Sequence, residues 1–245
     1  DLKSKAVIKT EAAIDKEVKI RGNAKAAEVK PLFIATTLPA KVDPRRTIAS
    51  QKPSKIKLPR ARDIASDDIP DNLVTDIPVA YNSKVQYWIS YYQTAGRPWF
   101  TKWLERSTRY LPVLKRTLRQ HGMPQDLAYL AMIESGFSFR AQSTAQAVGP
   151  WQFIRETGKR YGLKVNWWLD ERRDFQKSTD AAARYMKRMY GMFHNWYLVA
   201  AGYNTGENRI KRVIKNHGTK NFWKISQKNG GLEDETKDYV PKFIA

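Results

Sequence analysis

Residues 124–136 read Pro124-Gln125-Asp126-Leu127-Ala128-Tyr129-Leu130-Ala131-Met132-Ile133-Glu134-Ser135-Gly136. A proline at the opening and a glycine at the close bracket a short predicted helix. Leu127, Leu130 and Ala131 precede Glu134 by seven, four and three residues and share its face. Tyr129, Met132 and Ile133 are apolar as well, so the helix is expected to be buried on most sides. A glutamate closing such a helix loses hydration, which disfavours its charged form. The negative end of the helix dipole opposes a carboxylate at the same place. Both effects push towards a protonated acid near neutral pH, which is what general acid catalysis requires. The competing reading is a glutamate at a frayed helix end, reaching into water or pairing with an arginine such as Arg140. The local residues leave the two readings level.

Working outward, the rest of the aromatic-rich part also reads as helices. Asn82 or Ser83 suits a cap before Val85, Trp88, Ile89 and Tyr92, with Gly96 beyond the end. Pro98 suits a first helical position ahead of Phe100, Trp103 and Leu104, and Leu111, Leu114 and Leu118 form a stripe stopping at Gly122. The pattern predicts a short helix from Gln152 to Tyr161, closed by Gly162. A long helix carries Ala182, Tyr185, Met186 and Met189 behind a cap at Asp174 or Ser178. A buried helix is expected over 195–203, which is apolar on all sides, and another runs through Ile210, Val213 and Ile214 to Gly218. No stretch alternates long enough to demand a strand, so the expected class is mainly α.

The chain has 245 residues, 44 Lys+Arg against 24 Asp+Glu, a net charge of +20 and no cysteine. Absence of cysteine excludes disulfides, thiolate metal sites and thiol nucleophiles. His121, His194 and His217 lack metal-ligand spacing, so neither metal nor cofactor is expected. No apolar run reaches the roughly 20 residues of a membrane span. Residues 1–80 hold a single aromatic, Phe33, and seven of the twelve prolines. A segment so poor in aromatics does not offset its chain entropy easily. Residues 1–76 are therefore expected to form an extended or disordered basic arm, and 77–245 one compact domain. Of the charge, +5 falls on the arm and +15 on the domain. That basicity favours an anionic polymer as partner.

Three ordered motifs sharpen the reading. They are Glu134-Ser135-Gly136-Phe137, Gly149-Pro150-Trp151-Gln152-Phe153 and Gly202-Tyr203-Asn204-Thr205-Gly206-Glu207. Around them stand Trp103-Leu104-Glu105-Arg106-Ser107, Arg109-Tyr110-Leu111-Pro112, Trp167-Trp168 and Glu235-Thr236-Lys237-Asp238-Tyr239-Val240-Pro241. Together they resemble the lysozyme-like soluble lytic transglycosylases of glycoside hydrolase family 23, and among these the membrane-bound lytic transglycosylase D type. The resemblance covers nearly all of 81–245. It implies a goose-type-lysozyme-like helical domain, peptidoglycan glycan strands as substrate, no nucleic-acid partner, and an exported protein of the bacterial periplasm or envelope.

Carried over residue by residue, the resemblance implies that Glu134 is the single catalytic acid/base. Ser135 is the small polar residue behind it. Gly149 lets the backbone approach the glycan, and Gln152 faces the cleft. Tyr203 and Asn204 hold the sugar's N-acetyl group and the acid. Tyr239 lies near the catalytic carboxyl, and Glu235 lines the cleft. Trp151 and one of Trp167 and Trp168 are candidate sugar platforms because they flank these motifs. Two positions depart from the family pattern: Pro150 replaces a bulky apolar residue and offers no N–H, and Gly202 and Thr205 stand where alanines are usual. A one-carboxylate site needs its substrate to supply the second group, as the 2-acetamido carbonyl of N-acetylmuramic acid does in substrate-assisted cleavage. Two alternatives stay open: a hydrolytic muramidase or chitinase on the same fold, and a non-catalytic wall-binding protein.

Overall fold

Gly136 fixes where the decisive helix stops. The structure, a computed structural model, describes residues 75–245. Apart from Thr75 and Asp76, the arm expected over 1–76 lies outside the described residues. Helix α1 spans Ser83–Gln93, and the Asn82 side chain accepts from the N–H groups of Lys84 and Val85, satisfying two otherwise orphaned donors. Helix α2, Arg97–Gln120, begins with Pro98 in its first turn and runs unbroken past Pro112. After a 3-10 turn at Gln125–Leu127 comes helix α3, Ala128–Ser135. Helix α4 is Arg155–Arg160, and a second 3-10 turn, Glu171–Arg173, leads into helix α5, Phe175–Phe193. Helices α6 (Trp196–Thr205), α7 (Glu207–His217), α8 (Phe222–Ser226) and α9 (Asp234–Ile244) complete the chain.

The mainly α expectation holds: only isolated bridges, Gln142 with Val148, Val148 with Phe153 and Val165 with Asp170, occur outside helices among the described residues. The cap before α5 is Asp174, which accepts from the Lys177 N–H. Two expectations need correction. The helix predicted from Gln152 is confined to Arg155–Arg160, because Gln152 adopts φ +48° inside a turn that helical backbone cannot contain. Helix α9 is not among the helices that periodicity predicts. Thr236, Tyr239 and Val240 nonetheless form its buried face.

Helix α6 is the centre of the domain. Every residue from Leu198 to Thr205 is buried. Helices α5, α7 and α9 pack against it, and α9 also touches α1 and α3. Leu127, Leu130 and Ala131, the residues sharing the Glu134 face, have no exposure at all. Burying a leucine stabilises by roughly 1.5–3 kcal/mol, so the end of α3 is held in place by its apolar stripe. Among the described residues no helix is long and apolar enough to cross a membrane.

Candidate active site

Glu134 occupies the penultimate position of α3, directly before a backbone reversal. Gly136 takes φ +58° and Phe137 φ +57°. The Gly136 N–H donates to Met132 O at 2.7 Å, and Phe137 N–H to Ala131 O at 3.4 Å. A Cβ on Gly136 would lie 2.1 Å from Trp103 Cδ1, so glycine is needed both for the left-handed turn and for the indole packed on it. The Ser135 hydroxyl reaches Pro150 O at 2.9 Å and accepts from the Ser138 N–H at 3.1 Å. It thereby ties the helix end to the 149–153 turn. Pro150 contributes its carbonyl to this contact, so its missing N–H costs the site nothing here.

The Glu134 side chain is 1% exposed. It neither reaches bulk water nor pairs with Arg140, whose guanidinium lies over the Phe139 ring. Oε1 accepts from the Tyr239 hydroxyl at 2.5 Å, while Oε2 is buried without a protein partner. Burial holds the Glu134 carboxyl well above the usual carboxylate range. The Tyr239 hydrogen bond opposes that rise, and the charge of nearby Glu235 adds to it. The hydroxyls of Tyr203 and Tyr239 are likewise pushed up by burial and by Glu134. One carboxyl oxygen is thus held by Tyr239 and the other has no protein partner, in surroundings that favour the protonated form.

The third motif and α9 form the opposite wall. Tyr203 donates to Trp151 O at 2.8 Å, so its hydroxyl is spent on the backbone of the second motif. Asn204 Oδ1 accepts from Thr236 Oγ1 at 2.7 Å, leaving its amide Nδ2 as the end not engaged by Thr236. Gly202 packs under Met189, where a Cβ would come within 3.0 Å of the sulfur. That contact accounts locally for glycine at this position. Glu235 is half-buried one residue before Thr236. Thr236 itself was missed by sequence reasoning. Its only signal was a place three residues before Tyr239 on one helical face.

The second motif differs most from expectation. Trp151 has no exposure and its indole N–H donates to Thr179 Oγ1 at 2.8 Å. It packs in the core here, and no face of its indole is exposed to act as the expected sugar platform. Gly149, at φ +83°, presents its missing side chain to Arg172: a Cβ there would fall 1.8 Å from the Arg172 carbonyl oxygen. The glycine thus serves a contact between two protein backbones. Gln152 is fully buried, its Nε2 donating to Gly149 O at 2.8 Å and its Oε1 left without a partner. Arg172, also unforeseen, clamps this turn: Nη1 donates to Gln146 O and Phe153 O, and Nε and Nη2 to Asp170. Trp167 and Trp168 stand far out in solvent, at 89% and 91% exposure.

Asp126, the other carboxylate of the 124–136 stretch, is engaged elsewhere. It accepts from the Asp76 N–H at 2.6 Å while Asp76 accepts from the Gln125 N–H at 2.7 Å. A cavity of about 470 Å³ lies beside Tyr129, Met132 and Ile133, bounded by Ile77, Tyr92 and Trp103. None of the site residues lines it, so it is not where the Glu134 chemistry occurs. Among the described residues no three His, Asp or Glu side chains gather as metal ligands do.

Residues 112–226 match the family model described as the transglycosylase SLT domain. Over 145 residues the chain is 39% identical to the membrane-bound lytic murein transglycosylase D of Escherichia coli K12, a match covering 57% of this chain and 31% of that protein. The protein of the same name from Escherichia coli O6:H1 matches equally. The chain thus spans about a third of the length of these curated relatives. Among solved structures, the lytic transglycosylase Slt of Pseudomonas aeruginosa, in an inactive mutant form, aligns at a TM-score of 0.46 and 18% identity, over 64% of this chain and 26% of that one. The SLT match holds Glu134, Gln152 and Asn204 but stops short of Thr236 and Tyr239.

Proposed function

We propose that this chain is a peptidoglycan lytic transglycosylase, with residues 77–245 as its catalytic unit and Glu134 as its one acid/base. The observation that carries the reading is the state of Glu134: enclosed, raised in pKa by burial, and presenting an unpartnered Oε2. The SLT domain match and the lytic murein transglycosylase relatives point the same way.

In the proposed reaction Glu134 gives its proton to the oxygen joining N-acetylmuramic acid to N-acetylglucosamine. The bond from that oxygen to the muramyl C1 breaks, and the glucosamine end leaves with a free 4-hydroxyl. The muramyl 2-acetamido carbonyl shares the positive charge at C1. The Glu134 carboxylate then takes the proton of the muramyl 6-hydroxyl, whose oxygen bonds to C1. The 1,6-anhydro end forms, Glu134 is protonated again, and no water is consumed. Tyr239 holds Oε1 through both halves and stabilises the carboxylate between them. Asn204 and Gln152 supply neutral polar groups for the sugar amide. Because Oε2 is enclosed, the strand must part the side chains over it on entry, which keeps bulk water from intercepting C1. The site of action would be the cell envelope.

Hydrolysis on the same scaffold is the second reading, favoured by one observation: Glu235 is close enough for its charge to raise the Glu134 pKa. A second carboxylate could orient a water. Digestion of purified sacculi separates the readings, because an anhydro end weighs one water less than a reducing end. Released anhydro-muropeptides, lost by a factor of about 10²–10⁴ in Glu134→Gln, are the expected result. Reducing ends would convert the assignment to a hydrolase, and retained activity in Glu134→Gln would falsify the role of Glu134.

A further inference from the structure

The segment 164–171 is a stiff projection with an apolar tip. Glu171 N–H donates to Lys164 O at 2.9 Å, and Lys164 N–H returns to the Glu171 carboxylate at 2.7 Å. Val165 bridges Asp170, and the Asn166 N–H donates to Leu169 O at 2.8 Å. Asn166 Oδ1 accepts from both the Trp168 and the Leu169 N–H, at 2.9 and 2.8 Å. These bonds hold the turn, and Asp170 fastens it to buried Arg172. What it carries outward is Trp167, Trp168 and Leu169, all exposed. Two indoles in water, on a turn this well held, have no structural task inside the fold. Exposed apolar surface of this kind marks an interaction site.

The choice of partner follows from the groups around the tip. A sugar ring stacked on an indole also needs side chains aimed at its hydroxyls. Here the polar groups of the turn are already committed: Asn166 to two backbone N–H groups, Asp170 to Arg172, and Glu171 to Lys177 and to the Lys164 N–H. The two indoles are almost fully exposed, at 89% and 91%. The chain leading into it bears Lys159, Arg160 and Lys164, all exposed. Exposed tryptophan rings preceded in sequence by exposed Lys159, Arg160 and Lys164 suit the headgroup layer of an anionic bilayer, where indoles partition and cations meet phosphate.

We propose that Trp167, Trp168 and Leu169 form a bilayer-docking tip that inserts into the interfacial layer of an anionic membrane, with Lys159, Arg160 and Lys164 against the headgroups. It spans nothing and is independent of the chemistry at Glu134.

The test uses the full 245-residue chain and vesicles of phosphatidylglycerol mixed with phosphatidylcholine, compared with phosphatidylcholine alone. Trp167→Ala with Trp168→Ala should lower the vesicle partition coefficient about tenfold, since binding scales with the apolar area inserted. Nitroxide-labelled lipid should quench the tryptophan fluorescence of the parent and lose most of that effect in the variant. Lys159→Gln, Arg160→Gln and Lys164→Gln together should abolish the preference for the anionic vesicles. Both tryptophans are exposed, so an unchanged circular dichroism spectrum and melting temperature are expected and certify the fold. Parent and tryptophan variant partitioning alike would overturn the proposal. So would a loss of binding to sacculi without any loss on vesicles, which would make the pair a carbohydrate platform.

Discussion

The Tyr239 hydroxyl meets Glu134 Oε1 at 2.5 Å across 105 residues of sequence, joining the last helix to the end of α3. The bond gives the acid one fixed oxygen and one free one. It also favours the ionised form, against the burial that favours the protonated form. The folded-state pKa is the outcome of that contest, and burial prevails.

Stability should therefore fall as pH rises. Below the ordinary carboxyl value of 4.5, folded and unfolded chains both hold the Glu134 proton. Above it the unfolded chain releases the proton while the folded chain keeps it. The folded state thus binds more protons, and its stability declines until the raised folded value is reached. Glu134→Gln removes this slope. Its melting temperature should exceed the parent's at pH 7 and converge with it near pH 4. Equal differences at both pH values would contradict a burial-raised acid.

Tyr239→Phe keeps the ring and deletes the hydroxyl. With the opposing bond gone, the Glu134 pKa rises further, so the alkaline limb of the activity profile moves to higher pH. Stability should drop by about 1 kcal/mol for the lost hydrogen bond. An unmoved alkaline limb would mean that another group sets it.

Gly149→Ala should destabilise the protein by about 3 kcal/mol or more, through a left-handed φ and a Cβ overlapping Arg172 O. Gly191, inside α5 with nothing within 4 Å, is the control. Replacing it by alanine should stabilise by roughly 0.5–1 kcal/mol. Urea denaturation of the two variants gives both numbers, and similar midpoints would refute the close backbone approach.

Thr236→Val removes the partner of Asn204 Oδ1 while preserving shape. The expected cost is about 1–2 kcal/mol, with KM for glycan strands raised more than kcat is lowered. A kcat effect alone would place Thr236 in the proton chemistry instead.

What could be read from the sequence was whatever a local rule controls. Gly122, Gly136, Gly162 and Gly218 stop helices as expected, each with positive φ. Asn82 and Asp174 cap as their side chains allow. The stripe of Leu127, Leu130 and Ala131 pointed to a buried Glu134 but left a frayed, hydrated end equally open, and the structure decides for burial. What escaped reading depends on contacts distant in sequence. Trp151 and Trp168 look alike as letters, yet one donates to Thr179 in the core and the other stands in water. Gly149 is glycine because of Arg172, 23 positions later. Helix α9 is not among the predicted helices, and its final turn contains Pro241. The motif resemblance supplied the roles of Tyr203 and Asn204, whereas their actual bonds, to Trp151 O and Thr236, needed coordinates.

Helix α9 begins at Asp234, beyond residue 226 where the SLT family match ends. Trimming the protein at that residue would uncover the apolar flank of α6 and strip the phenol from the carboxyl. The amputated remnant would still display every letter of the three signatures. Its acid would lose the Tyr239 bond and part of its cover, so absence of the proposed catalysis in such a fragment would testify to the scissors rather than against the assignment.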